Sequence, residues 1–132
     1  MKTTKPHKTI KPLRILSAED DIHMQHVILL ALTDCGHSVA IASDGVQALA
    51  MVVADIHAFD IIITDHQMPN LDGLGFVRGL RLTAYSGKII VFCSALSSED
   101  QHAYRKLSVD RFLSKPITHK LLVENIEKIY HQ

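Results

Sequence analysis

The sequence predicts an α/β domain built on an open, doubly wound sheet of five parallel strands. Three observations predict it. Five short apolar runs alternate with five stretches of helical spacing, and that alternation is the mark of parallel βαβ units. The runs are apolar enough for strands covered on both faces, and right-handed crossovers put helices on both sides. The repeat stops after the fifth unit, which suits an open sheet better than an eight-fold barrel.

The elements follow in order. Leu13 to Ala18 is the first strand, broken by Glu19-Asp20-Asp21. Ile22, Val27, Ile28, Leu30, Ala31 and Leu32 spread apolar residues over a helix closed by Gly36, and the helix is apolar enough to be well buried. Ser38 to Ala42 is the second strand. Ser43-Asp44-Gly45 supplies a turn and cap for a helix over Val46, Leu49, Ala50, Val53 and Ile56. Ile61 to Thr64 is the third strand. Asp72-Gly73 opens a helix that uses Leu74, Val77, Leu80 and Leu82. Gly75 and Gly79 inside it weaken it by about 1 kcal/mol each relative to alanine. Lys88 to Cys93 is the fourth strand, and Ser97-Ser98-Glu99-Asp100 caps a short helix to Leu107. Asp110 to Ser114 is the fifth strand, and a helix from Thr118 to Tyr130 follows.

With 132 residues and 47% apolar content, the chain can bury a core without metal or disulfide staples. Residues 12–132 read as one domain, and residues 1–11 as a flexible basic arm. Lys plus Arg balances Asp plus Glu at 14 each. That balance removes a domain-wide electrostatic case for nucleic acid or an anionic membrane. No apolar run approaches the roughly 20 residues a bilayer span needs. The basic start is not followed by a secretory apolar run. Cys35 and Cys93 lie far apart in sequence, form no CxxC pair and read as buried free thiols in a reducing compartment, with a disulfide as the lesser alternative. A cytoplasmic protein is expected.

In an open parallel sheet, ligands bind outside the carboxyl ends of the strands. The first strand ends in Glu19 and Asp20, the third in Asp65, the fourth in Ser94, and the fifth in Lys115 before Pro116. The second ends in Ala42-Ser43, which offers little. Clustered carboxylates repel one another, and a hard divalent cation such as Mg²⁺ relieves them with oxygen ligands. Three carboxylates, Mg²⁺ and one ammonium sum to zero. A phosphoryl group at Asp65 would meet the cation on one side and Lys115 on the other, the arrangement that phosphoryl transfer needs. Ser94 can donate to a third oxygen. Asp65 can itself be the nucleophile.

At these residues the sequence resembles the receiver domains of two-component response regulators. The resemblance rests on Ile15 to Asp21, Thr64 to Gly73, Ser94-Ala95 and Lys115-Pro116, each after an expected strand. It covers about residues 13 to 130 and implies a flavodoxin-like fold with strand order 2-1-3-4-5. It implies Asp65 as phosphoacceptor, and Glu19 and Asp20 as the acidic metal pair. The backbone carbonyl of Gln67 becomes a further Mg²⁺ ligand, Ser94 the switch hydroxyl and Lys115 the phosphate-binding lysine. Phe112 takes the place of the switch aromatic, and Gln67 and Leu96 match positions that tune the rates. The partners implied are a sensor histidine kinase or a histidine phosphotransfer protein. A downstream protein or a second copy would engage the surface of the fourth helix, fifth strand and fifth helix. Such a domain catalyses only its own phosphorylation and dephosphorylation. The family usually carries a small-Gly-Ala stretch before the fifth strand, and this chain has Lys106 to Asp110 instead.

Other readings stand beside these. Asp21 reads as a helix N-terminal charge. His23 and His26 read as surface histidines or neighbours of the site, since no clear third ligand set joins them. His66 borders the site, and Tyr104 and Tyr130 read as packing residues. The leading expectation is a phosphorylation switch. Its alternatives are a phosphorylation-independent interaction module of the same fold and a small-molecule phosphatase. The phosphatase reading lacks a second acid two residues after the nucleophile, where Gln67 stands.

Overall fold

The computed structural model describes residues 11–131. The expected basic arm, apart from Lys11, lies outside the described residues. Ten elements alternate along the chain. They are β1 (Arg14–Ala18), α1 (Ile22–Thr33), β2 (Ser38–Ala42), α2 (Gly45–Ala54), β3 (Ile61–Thr64), α3 (Gly73–Arg81), β4 (Lys88–Cys93), α4 (Ser98–Lys106), β5 (Arg111–Ser114) and α5 (His119–Tyr130). All strand pairs are parallel, in the order β2-β1-β3-β4-β5. The open doubly wound sheet is the fold that the sequence predicts.

The strands divide the interior into two layers because successive side chains point to opposite faces. Ile15, Ile61, Ile63, Ile90 and Phe92 pack against Ile28 and Leu32 of α1 and Leu122 and Ile126 of α5. Leu16, Ile62, Ile89 and Val91 pack against Ala48 and Val52 of α2, Phe76 and Leu80 of α3, and Tyr104 of α4. Every helix starts on a side chain that accepts a backbone N–H, which satisfies one of its orphan donors. These caps are Asp21, Asp44, Asp72, Ser97 and Thr118.

The structure corrects several local readings. α1 is not buried throughout: Ile22 and Leu30 are 67% and 62% exposed. On α2, Val46 and Val53 face solvent, while Ala48 and Val52 pack onto the sheet and Gly45 is buried against Leu71 of the loop before α3. The small residues let α2 approach closely, so volume rather than hydropathy decides which face turns inward. Leu82 caps α3 and is exposed. Leu13 precedes β1, and Asp110 precedes β5, where its carboxylate accepts the Ile89 N–H at 2.8 Å. The unusual stretch before β5 is a turn with Ser108 at φ 61°. Arg81 braces it, donating to the Leu107 and Ser108 carbonyls at 2.7 and 3.0 Å.

At the end of the sheet away from the strand tips, Asp60 accepts the Arg14 backbone N–H at 2.9 Å and its guanidinium at 3.1 Å. Burial alone would raise the Asp60 carboxyl, but the Arg14 bonds outweigh it and hold the carboxyl below its ordinary value of 3.8. A depressed carboxyl contributes stability above its unfolded value and loses it as pH falls through the folded one. Asp60→Asn is therefore expected to lower the urea midpoint at neutral pH. In strong acid its curve should coincide with that of the wild type; a constant offset at every pH would refute the linkage.

Candidate functional site

The site is built where β1, β3, β4 and β5 run out. The ladder continues one step past β1, since Glu19 N–H donates to the Ala42 carbonyl and Asp65 N–H to the Ala18 carbonyl, both at 2.9 Å. These bonds set Glu19 and Asp65 beside each other. Carboxylate oxygens of Glu19, Asp20 and Asp65 lie within 4.8 Å of one another. Glu19 is buried, at 1% exposure, whereas Asp20 is exposed.

Lys115 reaches across from the end of β5. Its Nζ donates to Glu19 Oε1 at 2.8 Å and to Asp65 Oδ2 at 3.1 Å. Burial pushes the Glu19 carboxyl up, and the bond from Lys115 offsets only part of that. Lys115 shows the converse balance: burial lowers its ammonium, but Glu19 and Asp65 outweigh burial and raise it above 10.5. The lysine is thus a permanent cation at the centre of the cluster. Asp21 N–H caps Glu19 Oε2 at 3.2 Å, and Gln25 Nε2 holds the Glu19 carbonyl at 2.7 Å. The Lys115–Pro116 bond is cis.

A cavity of about 300 Å³ opens over this cluster, lined by Asp65, His66, Gln67, Cys93, Ser94 and Lys115. Gln67 and Ser94 are both exposed at its rim. Phe112, on β5, is half-buried beneath α4. The structure therefore brings together Glu19, Asp20, Asp65, Gln67, Ser94 and Lys115, and sets Phe112 to one side. His23 and His26 are exposed on α1 and join no metal cluster among the described residues. A larger cavity, about 530 Å³ beside Cys35 and α5, holds none of the strand-tip residues.

One network escaped the sequence reading. His66 Nδ1 lies 2.7 Å from the Tyr104 hydroxyl, and its Nε2 lies 3.2 Å from Asp100 Oδ2. Burial raises the Tyr104 phenol well above its ordinary range, and Asp72 adds to the effect. The hydroxyl therefore keeps its proton; with Nε2–H turned to Asp100, a neutral imidazole accepts from it at Nδ1, whereas a doubly protonated ring donates to it. A histidine directly after Asp65, and a lone aromatic on a polar helix, were the signals available.

A sequence model of the response regulator receiver domain matches residues 15–127. The response regulator MprA of Mycobacterium leprae is 34% identical over 117 residues, 89% of this chain and 50% of that protein. The transcription factor SKN7 of Chaetomium thermophilum is 33% identical over 110 residues, 82% of this chain and 14% of that protein. The chain thus spans about half, or less, of these relatives. Among solved structures, the chemotaxis protein CheY4 of Vibrio cholerae superposes with a TM-score of 0.83 at 26% identity, over 90% of this chain and 99% of that one. With the match running across the whole sheet and the acidic tips inside it, the chain belongs to the receiver domains of two-component response regulators.

Proposed function

We propose that this domain is a phosphorylation switch that accepts a phosphoryl group on Asp65 from phosphohistidine. The donor would be a sensor histidine kinase or a histidine phosphotransfer protein. The observation that carries the reading is the Lys115 ammonium bridging Glu19 and Asp65 at the floor of a polar cavity. A carboxylate oxygen of Asp65 attacks phosphorus, and the P–N bond breaks. The electron pair leaves with the imidazole nitrogen, which takes up a proton. Water later attacks phosphorus, breaks the P–O bond to Asp65 and releases orthophosphate. The domain is a switch with self-catalysed phosphorylation and hydrolysis, not a turnover enzyme.

Lys115 holds one equatorial oxygen of the transferring group, and Ser94 donates to another. The all-oxygen donor set of Glu19, Asp20, Asp65 and the Gln67 carbonyl fits Mg²⁺. The receiver domain of the Pseudomonas aeruginosa sensor kinase PA1611, which shares this fold, is described with a magnesium ion coordinated in its active-site cleft. Bound there, Mg²⁺ supplies positive charge to the phosphoryl oxygens. Phe112 and Ser94 then shift the population of the α4-β5-α5 surface toward its active form. That surface would engage a downstream protein or a second copy. Among the described residues no helix is long and apolar enough to cross a membrane.

The test is intact mass after incubation with Mg²⁺ and acetyl phosphate. The wild type is expected to gain one phosphoryl group and Asp65→Asn none. Failure of the wild type to take up either acetyl phosphate or beryllofluoride would favour the phosphorylation-independent interaction module.

A further inference from the structure

α4 is a polar helix with one buried residue. Of Ser98–Lys106, only Tyr104 is buried, and it is fully buried. Its ring packs edge-on against Phe112, with centroids 6.0 Å apart. Its hydroxyl points at the loop after β3, where a Cβ on Gly73 would lie 2.7 Å from it. The loop presents His66 there. That imidazole holds α4 at two points one turn apart, Tyr104 through Nδ1 and Asp100 through Nε2. The backbone N–H of the same residue donates to Asp65 Oδ1 at 2.7 Å. One residue therefore touches both the acceptor carboxylate and the helix.

We propose that His66 and Tyr104 are positioning residues that lock α4 to the acceptor loop, and that a phosphoryl group on Asp65 loosens the lock. The second half rests on the phosphoacceptor reading above. The physical reason is local. His66 lines the cavity that the phosphoryl group would enter. That group brings negative charge and strong acceptor oxygens beside the imidazole. It competes with Asp100 for Nε2–H and repels the Asp100 carboxylate. When the ring turns, Nδ1 leaves the Tyr104 hydroxyl. The buried hydroxyl has no other partner among the described residues, and a buried donor left unsatisfied is costly. Tyr104 must then move, and Phe112 and α4 move with it.

The test is amide hydrogen exchange across α4 in the wild type, Tyr104→Phe, His66→Ala and the double variant. Tyr104→Phe keeps the ring and removes only the hydroxyl, so packing is preserved. Its α4 amides are expected to exchange about fivefold to tenfold faster, the factor that one hydrogen bond carries. α1 and α5 should exchange as before. His66→Ala should accelerate α4 at least as much, and adding Tyr104→Phe to it should add little. Unchanged α4 exchange in Tyr104→Phe, or effects that multiply in the double variant, would overturn the lock. This arm needs no phosphoryl chemistry, so it decides the lock even if Asp65 takes up nothing. In the second arm, Mg²⁺ and beryllofluoride are added, with the bound state followed by fluorine resonance. Wild-type α4 exchange should rise toward that of Tyr104→Phe. Bound beryllofluoride with unchanged α4 would sink the loosening, whereas no bound signal would count against the phosphoacceptor reading itself.

Discussion

Lys115→Met is expected to lower stability at neutral pH by about 3 kcal/mol in the absence of divalent cation, because removing one partner of a buried ion pair leaves the other charge uncompensated. The charge left behind is Glu19, at 1% exposure, with Asp65 beside it. Methionine fills much of the lysine stem's volume, so the loss is electrostatic rather than a cavity. Three further results should accompany it. Mg²⁺ should raise the melting temperature of the variant more than that of the wild type, because the cation restores the missing positive charge and binds only the folded site. The deficit should also shrink in acid. Burial already raises the Glu19 carboxyl above its ordinary 4.5, and loss of the ammonium removes what holds it down. A raised carboxyl favours the fold below its unfolded value and loses that contribution as pH rises through the folded one. The variant is thus worst at neutral pH and recovers as Glu19 protonates. Phosphoryl uptake should fall about a hundredfold, as expected for removal of one charge-stabilising donor. Thermal unfolding with and without Mg²⁺ at neutral and acid pH checks the first three results. A variant as stable as the wild type without cation would show that the pair is energetically idle.

Gly73→Ala should be nearly as damaging for a wholly steric reason. Gly73 is buried at the first turn of α3, and its N–H donates to the His66 carbonyl at 2.7 Å. An added Cβ would collide with the Asp65 carbonyl oxygen and press on the Tyr104 hydroxyl and His66 Cα. None of these can give way cheaply. The carbonyl belongs to Asp65, the proposed acceptor, and the hydroxyl is held by His66. Alanine gains about 1 kcal/mol in helix propensity, but overpacking should outweigh it and leave a net loss of about 2 kcal/mol. Urea denaturation measures this, and intact mass after acetyl phosphate should show slowed uptake in the fraction still folded. A variant with unaltered midpoint would mean that α3 shifts away from β3 without cost.

Much of this was legible in the chain. Asp44, Asp72 and Ser97 announce helix starts because their side-chain oxygens fit the cap and little else does as well. The apolar runs mark the strands to within a residue, since strands covered on both faces have nowhere to put a polar side chain. Leu13 and Asp110 were misassigned because burial and hydrogen bonding both begin before a strand's first ladder pair. The strand-tip residues could be grouped because parallel topology sends every carboxyl end to one edge. The inward face of α2 was not legible. Val46 and Val53 read as core, but Ala48 and Val52 occupy it, and clearance between helix and sheet is not written in hydropathy. Tyr104 was legible as buried but not as bonded. Its partner lies 38 residues away, and nothing local marks a hydroxyl that will meet an imidazole.

The sheet separates two side-chain layers that share no residue. Ile63 and Ile62 are neighbours in sequence yet serve opposite layers. The backbone between them acts as a partition. Volume lost beneath α1 and α5 cannot be made good by a larger side chain beneath α2, α3 or α4. Substitutions on the two sides therefore act as separate sets: strongly coupled within a layer, and close to additive across the sheet. The layer that holds Tyr104 can therefore change its packing with little consequence for the layer beneath α1 and α5.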